Sequence, residues 1–584
     1  TQILLDSRPI FSALSGVYGI EQIPASMIER VEVMRGGGSA LFGSSAIAGT
    51  INIITKEPMR NSGMLSHTIT GIGDGDVFDN STALNASLVT DDQRAGLYIF
   101  GQNRHRSAYD HDGDGYSEIP KLHGQTIGFR SFLKTTTYSK LTFEYHHMEE
   151  FRRGGDLLNR PPHEANVAEQ TEHSINGGGL KFDYFSPNEN HRFNVFASAQ
   201  HINRDSYYGP GDRDPLDAYG NTTDLNWMAG SQYVYSFGKC IFMPSDLTAG
   251  IEFNQDKLED NMWGYNRTVD QKVNIGSAFL QNEWKNDHWG FLIGGRLDKH
   301  NLIDHVIFSP RANLRYNPTE NINLRFSYSS GFRAPQAFDE DLHVENVGGN
   351  VAMVELADNL KEERSQSLSA SADIYHRFGA FQVNFLVEGF YTKLSDVFAL
   401  TDGEVVDGIL TRTRHNASGA QVLGLTLEGK MAYLNKIQVQ AGVTLQQSHY
   451  SKPHIWNKEA PAVKKMMRTP NTYGYFTATY TPIKPLSIAL SGTYTGSMLV
   501  PHEPVPGFLE NPITVNTKDF FDISLKAAYD FKLYKSVNLQ VNAGVQNIFN
   551  AYQNDFDKGA DRDSGYIYGP SLPRSFFAGV KISY

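Results

Sequence analysis

The chain has 584 residues, with 52 basic and 64 acidic side chains for a formal charge of −12, a mean hydropathy of −0.39 and one cysteine, Cys240. The acidic balance argues against nucleic acid as a partner, and a lone cysteine excludes an internal disulfide framework. No run approaches the roughly 18 apolar residues that a spanning helix needs, so the chain is either soluble or crosses lipid as a closed barrel, whose alternating faces keep mean hydropathy low.

No signal-peptide pattern stands at the start. "TQILLDSRPI" reads as a strand entering a turn, so the sequence is expected to open inside a domain. Residues 1–58 read as a small α/β unit: a short helix at Ala25–Glu29, a strand at Arg30–Met34, a glycine turn, a helix-like stretch from Ser39, a strand at Thr50–Thr55, and Pro58 as the close. Gly36–Gly38 lacks the Lys-Ser/Thr of a phosphate loop, and reads as a turn needing positive φ.

From residue 59 to 584 period-two alternation takes over. Ile437, Val439, Ala441, Val443 and Leu445 alternate with Gln438, Gln440, Gly442 and Thr444, and Phe521–Tyr529, Val537–Val545 and Phe576–Tyr584 repeat the pattern. Periodicity alone does not separate a soluble sandwich from a membrane barrel. Strands of nine or more residues exceed the usual ~5–6. Aromatics near strand ends (Phe390, Tyr391, Tyr473, Tyr475, Tyr480) suit interfacial girdles. Tight turns such as Asn317-Pro318-Thr319 alternate with long polar connections near 103–124, 150–172, 203–226, 330–365, 446–470 and 550–573, the asymmetry of a membrane barrel. The fold class expected is an all-β membrane protein, an antiparallel transmembrane β-barrel.

Among the connections, "YDHDGDGYSEIP" places Asp110, Asp112 and Asp114 at alternate positions, then Gly115, the Tyr116 carbonyl and Glu118. Such an oxygen set suits a hard cation, Ca²⁺ above all. It is not an EF-hand, because position 12 is Lys121 and the carboxylate falls at position 9. Two further acidic groups, Asp212/Asp214/Asp217 and Asp555/Asp557/Asp561/Asp563, read as solvated surface. His146-His147 has no zinc spacing. No nucleophile elbow, HExxH motif or triad is present, so no enzyme is expected.

"IERVEVMRGGGSALFGSSAIAGTINIITK" resembles the plug signature of TonB-dependent outer-membrane receptors, and "LLDSRPI…SGVYGIEQIP" resembles the plug strand and apical loop before it. The resemblance covers the whole chain and implies the C-terminal half of a plug at 1–58, then a 22-stranded barrel at 59–584. It implies active import of a scarce, large nutrient across a Gram-negative outer membrane, powered by the TonB–ExbB–ExbD complex through a segment before Thr1. The aspartate-rich loop resembles that of vitamin B12 (cobalamin) receptors, which makes a corrinoid the expected ligand, Ca²⁺ a structural cofactor, and Phe11, Ser12, Leu14, Ser15 and Tyr18 the plug-apex contacts. "GFRAP" at 331–335 resembles a haem-receptor box and would make His343 an axial ligand, but Ala357-Asp358-Asn359-Leu360 departs from the expected NPNL partner. Haem, then an iron siderophore, are the alternative ligands. A passive porin or adhesin, and a transport core beneath a ligand-capturing surface lipoprotein, are the other classes considered.

Overall fold

The computed structural model describes residues 2–9, 23–35, 43, 46, 47, 49–210, 216, 219–347 and 350–584. A small sheet comes first. Strand β1 (Gln2–Leu5) pairs in parallel with β4 (Gly49–Thr55), flanked by β2 (Arg8–Pro9) and β3 (Ile28–Arg35). The short helix expected at Ala25–Glu29 is a single 3₁₀ turn at Ala25–Met27, and the following strand starts two residues early, at Ile28.

The barrel begins at Ser62, and its 22 long antiparallel strands close when the last, Ser575–Ser583, pairs with the first, Ser62–Ile72. Closure leaves no unpaired edge, the condition for backbone to lie in hydrocarbon. The faces resolve the ambiguity of the alternation. Leu445, Phe521, Leu525, Val541, Phe576, Val580 and Ile582 all stand exposed on the outer wall. The inward face includes buried polar pairs: Thr426 and Thr444 meet hydroxyl to hydroxyl at 3.0 Å. A soluble sandwich would reverse that sense.

Three readings of detail change. Tyr473 and Tyr475 face the lumen, where the Tyr475 hydroxyl donates to Glu428 at 2.5 Å and accepts from Gln440. The outward aromatics instead ring the opposite rim, at Tyr138, Phe185, Phe242, Trp289, Phe378, Tyr480 and Tyr534. Asn317-Pro318-Thr319 is not a turn: the strand Ile307–Thr319 runs through it with a register shift and turns at Glu320-Asn321. Much of 117–124, 150–155, 203–210 and 219–226 is strand, not loop. The strands Ser117–Thr136, Ser139–Gly155, Val167–Phe185, His191–Pro210, Tyr219–Cys240 and Met243–Met262 have 17 to 22 residues. Above the lipid both of their faces meet water, so the apolar alternation that marks a strand disappears there.

The opposite side is low. Thr472–Ile483, Leu486–Thr495, Val537–Gln546 and Ser575–Ser583 have 9 to 12 residues. The connections follow an inverse rule. Residues 263–266 suffice above the tall wall, whereas the long connections 334–362, 396–419, 496–519 and 547–574 join shorter strands. Segments of 334–362 and 396–419 combine into a four-stranded sheet over the mouth, with Asn350–Leu356 parallel to Ile409–Asn416.

Candidate functional site at the barrel mouth

The aspartate loop closes at its base through Tyr109 and Ile119, whose backbones exchange hydrogen bonds of 2.9 and 3.1 Å. Gly113 and Gly115 take φ of 74° and 91°, which side chains rarely adopt. Their N–H groups donate to the two oxygens of Asp110 at 2.7 and 2.8 Å. The His111 N–H donates to Glu118 at 2.6 Å. This winding brings carboxylate oxygens of Asp110, Asp112 and Glu118 within 4.8 Å of one another. Asp112 Oδ2 is buried without a hydrogen bond, and Lys558 Nζ stands 3.5 Å from it.

Asp114, the third aspartate of the expected oxygen set, is engaged by a distant connection. Arg562, from the 547–574 loop, donates to Asp114 at 2.5 Å and to Glu118 at 3.1 Å, and lies 4.8 Å from the Tyr116 ring centre. The Gly559 N–H adds a bond of 2.8 Å to Asp114. Burial raises the Asp114 pKa, but the Gly559 and Tyr116 N–H groups and Arg562 outweigh it and hold the carboxyl below its usual range. His111 packs edge-on against Tyr552 and Phe556. The loop is therefore clasped to a segment more than 440 positions away.

Beside the clasp lies a cavity of about 400 Å³ lined by Tyr116, Arg152, Tyr208, His343, Phe556 and Tyr566, among others. His343 packs edge-on against Tyr208 at 5.0 Å. In the 331–335 motif, Phe332 and Ala334 are buried with Ile303 and Ile307, while Arg333 lies 3.8 Å from the Phe338 ring centre and pairs with Glu340. Phe11, Ser12, Leu14, Ser15 and Tyr18 lie outside the described residues, as do Asp212, Asp214 and Asp217.

Sequence reading missed a second junction. Arg412 reaches Glu345, Asp402 and Glu503 at 2.8, 3.0 and 3.0 Å, joining three connections. Asn457 donates to Glu503 at 2.9 Å, and the Glu503 N–H donates to Asp563 at 3.0 Å. His502 stacks on Tyr566 at 3.7 Å and lies 3.0 Å from Asp557. Asp557 and Asp563 are thus buried, not solvated as their sequence suggests. Burial, with Asp402 and Asp563 nearby and against the pull of Arg412, pushes the Glu503 carboxyl up to about 7. The only sequence signal was the density of charge in "TRTRH" and "DFDKGADRD".

Below the mouth, the small sheet is keyed to the wall. Asp6, in the β1–β2 turn, accepts from the Thr55 N–H at 3.0 Å and hydroxyl at 2.7 Å, and pairs with Arg130 of the barrel. Arg8 pairs with Glu144. Lys140 donates to Glu57 at 3.0 Å, and Arg35 to Glu388 at 2.7 Å. The Ser365 hydroxyl donates to the Ile47 carbonyl at 2.7 Å. A lumen filled this way is stoppered, not open.

Residues 63–548 match the family model described as TonB dependent receptor-like, beta-barrel, and residues 1–50 match the TonB-dependent receptor plug domain. The chain is 26% identical over 353 residues to an iron-regulated outer membrane virulence protein of Vibrio cholerae, covering 57% of this chain and 49% of that protein. It is 23% identical over 349 residues to the vitamin B12 transporter BtuB of Vibrio vulnificus, covering 58% and 52%. The aligned part thus spans about half the length of these curated relatives. The crystal structure of the siderophore receptor PirA from Acinetobacter baumannii superposes with a TM-score of 0.79 at 17% identity, covering 100% of this chain and 90% of that one. The plug signature, the stoppered 22-stranded barrel and the family match over 63–548 together make this chain a member of the TonB-dependent receptors of the Gram-negative outer membrane.

Proposed function

We propose that this receptor imports a corrinoid, captured between the extracellular connections and the plug apex, with Ca²⁺ held by Asp110, Asp112 and Glu118. One observation carries the reading: the carboxylate triplet of Asp110, Asp112 and Glu118, in which Asp112 Oδ2 is buried without a hydrogen bond and Glu118 also lines the cavity. Lys558 and Arg562 each offset one of the three converging carboxylates, and oxygen donors at this spacing suit Ca²⁺ as the charge that joins all three. A second feature supports the ligand class. The 11 connections on the mouth side hold 30 acidic and 13 basic side chains, a balance of −17 in a chain of −12. Arg333, Arg412, Arg414 and Arg562 all pair with carboxylates. Such a surface disfavours a highly anionic iron chelate and suits a large ligand without net negative charge. The vitamin B12 transporters among the relatives point the same way.

Membership of the family implies TonB-dependent energy coupling, which in this reading is supplied by TonB–ExbB–ExbD. The conformational change is powered elsewhere and released at the plug. A ferric siderophore is the second reading, favoured by the iron-regulated relative and by the likeness to siderophore receptors. Haem is the third, with His343 at the cavity wall as its ligand. The long polar connections could also seat a capturing surface lipoprotein.

The test is calorimetric titration of the purified receptor with cyanocobalamin, haemin and a ferric tris-catecholate, with and without Ca²⁺. Nanomolar, Ca²⁺-dependent corrinoid binding that weakens at least tenfold in Asp112→Asn is the expected result. Tight haemin binding lost in His343→Ala, or tris-catecholate binding indifferent to Ca²⁺, would replace the corrinoid.

A further inference from the structure

The outer wall carries a histidine pair that takes no part in the mouth. His105, on the strand Ala95–Arg106, stands directly opposite His123, on the strand Ser117–Thr136. The alternation fixes the side they face. Tyr98 and Phe100 are buried in one cluster with Ile23, Met27 and Ile53, so the even positions of Ala95–Arg106 point into the lumen and His105 points out. On the partner strand Leu122 is buried, while Ile127, in phase with His123, is 61% exposed. Both histidines are exposed. His123 sits four positions nearer the mouth than Ile127, about 13 Å at ~3.3 Å per residue. The pair therefore stands above the apolar band.

Residues directly opposite in an antiparallel pair bring their side chains together. The two imidazole centres are 5.7 Å apart, with the ring planes at 70°. A metal held ~2.1 Å from a ring nitrogen stands about 3.2 Å from that ring's centre, so this separation corresponds to a nitrogen–metal–nitrogen angle of roughly 120°. Small rotations of two exposed side chains bring it to the tetrahedral value. The Gln125 amide nitrogen, 3.3 Å from His123 Nε2, can only donate, so that ring nitrogen presents its lone pair. Among the described residues the His105 ring has no partner other than His123. The nearby charges on this face balance. Glu149 lies opposite Gln125 and 3.3 Å from His147, and the Lys121 ammonium lies over the Phe151 ring at 5.9 Å. Arg104 and Arg106 turn inward, to Asp79 and the Pro120 carbonyl.

We propose that His105 and His123 bind a divalent transition-metal ion of the Cu²⁺ and Zn²⁺ class, with solvent completing the coordination on the open side. Imidazole nitrogen suits copper, nickel and zinc, whereas Ca²⁺ takes oxygen. This pair and the aspartate triplet therefore select different ions. The pair lies on the outer wall, apart from the mouth cavity, so it stands or falls independently of the ligand imported.

The experiment titrates the purified chain in detergent with Cu²⁺, in excess Ca²⁺, by calorimetry and electron paramagnetic resonance. One equivalent should bind with micromolar or tighter affinity and show hyperfine structure from two nitrogen ligands. His105→Gln and His123→Gln should each weaken this binding at least tenfold and remove the two-nitrogen signature. His147→Gln, on the next strand, should leave both intact. Zn²⁺ should displace the copper only at higher concentration, in the order of nitrogen-site affinities, and Ca²⁺ should not displace it. Both exposed positions tolerate glutamine, and a heat-modifiable band on gels verifies that each variant is folded. Copper binding unchanged in the two variants, weakened in only one of them, carried by oxygen ligands alone, or not saturable below millimolar copper overturns the proposal.

Discussion

Glu503 is a carboxylate with one guanidinium for company and two carboxylates close by. Its pKa is raised only while the junction around Arg412 is closed, so ionisation works against closure. The penalty is absent below the unfolded value of 4.5 and grows as pH climbs toward about 7. The junction is tightest in mild acid and loosest above neutrality. Glu503→Gln should remove this dependence, matching the native chain near pH 4.5 and exceeding it at pH 8 by on the order of 3 kcal/mol. Thermal unfolding from pH 4.5 to 8.5 checks it, and a flat native profile would refute it. Asp114 has the opposite sign. Its depressed pKa lends stability above the ordinary carboxylate range that is lost as pH falls through its folded value. Arg562→Ala should strand Asp114 and Glu118 and cost roughly 3 kcal/mol of clasp stability, seen as faster proteolysis between residues 107 and 118. None of these partnerships was visible in the linear chain. Asp110, Asp112 and Glu118 could be singled out because their spacing is local; Arg562 could not, because it meets Glu118 across 444 positions.

The elements of the barrel were legible wherever one face met lipid and the other water, since that contrast writes itself into every second residue. It says nothing about which phase is outward. Tyr473 and Tyr475 were misjudged for that reason, and the neighbours Thr444 and Gly442 on the paired strand show why. Above the membrane the contrast vanishes, and strand becomes indistinguishable from loop. Gly155 marks where one of these extensions ends. At φ +95° a Cβ there would lie 2.0 Å from the Val167 carbonyl oxygen, so Gly155→Ala must push apart two strands that pair along 17 positions. We expect a loss of at least ~2 kcal/mol, read as a lower urea midpoint of the folded, unboiled band on gels. The plug elements were legible through resemblance. Their attachments at Asp6 and Arg8 were not, because the barrel partners Arg130 and Glu144 lie in strands with no motif of their own.

At the scale of the whole molecule, closure depends on ten residues. Deleting 575–584 would leave one edge of Val537–Gln546 and one edge of Ser62–Ile72 unpaired, and unsatisfied backbone in hydrocarbon costs several kcal/mol per group. The truncated chain should show no heat-modifiable band and should be degraded before insertion. The rim of the intact barrel is cut on a slant. Strands of 22 residues on one side and 9 on the other differ in height by roughly 30 Å after allowing for tilt. Continuous barrel sheet forms the high half, and long connections that carry only short sheets of their own form the low half. The two respond differently to an arriving molecule: a continuous ladder resists bending, while loops held by a few ion pairs exchange contacts at little cost. On this geometry a guest large enough to touch both halves would meet a continuous wall on one side and ion-paired connections on the other.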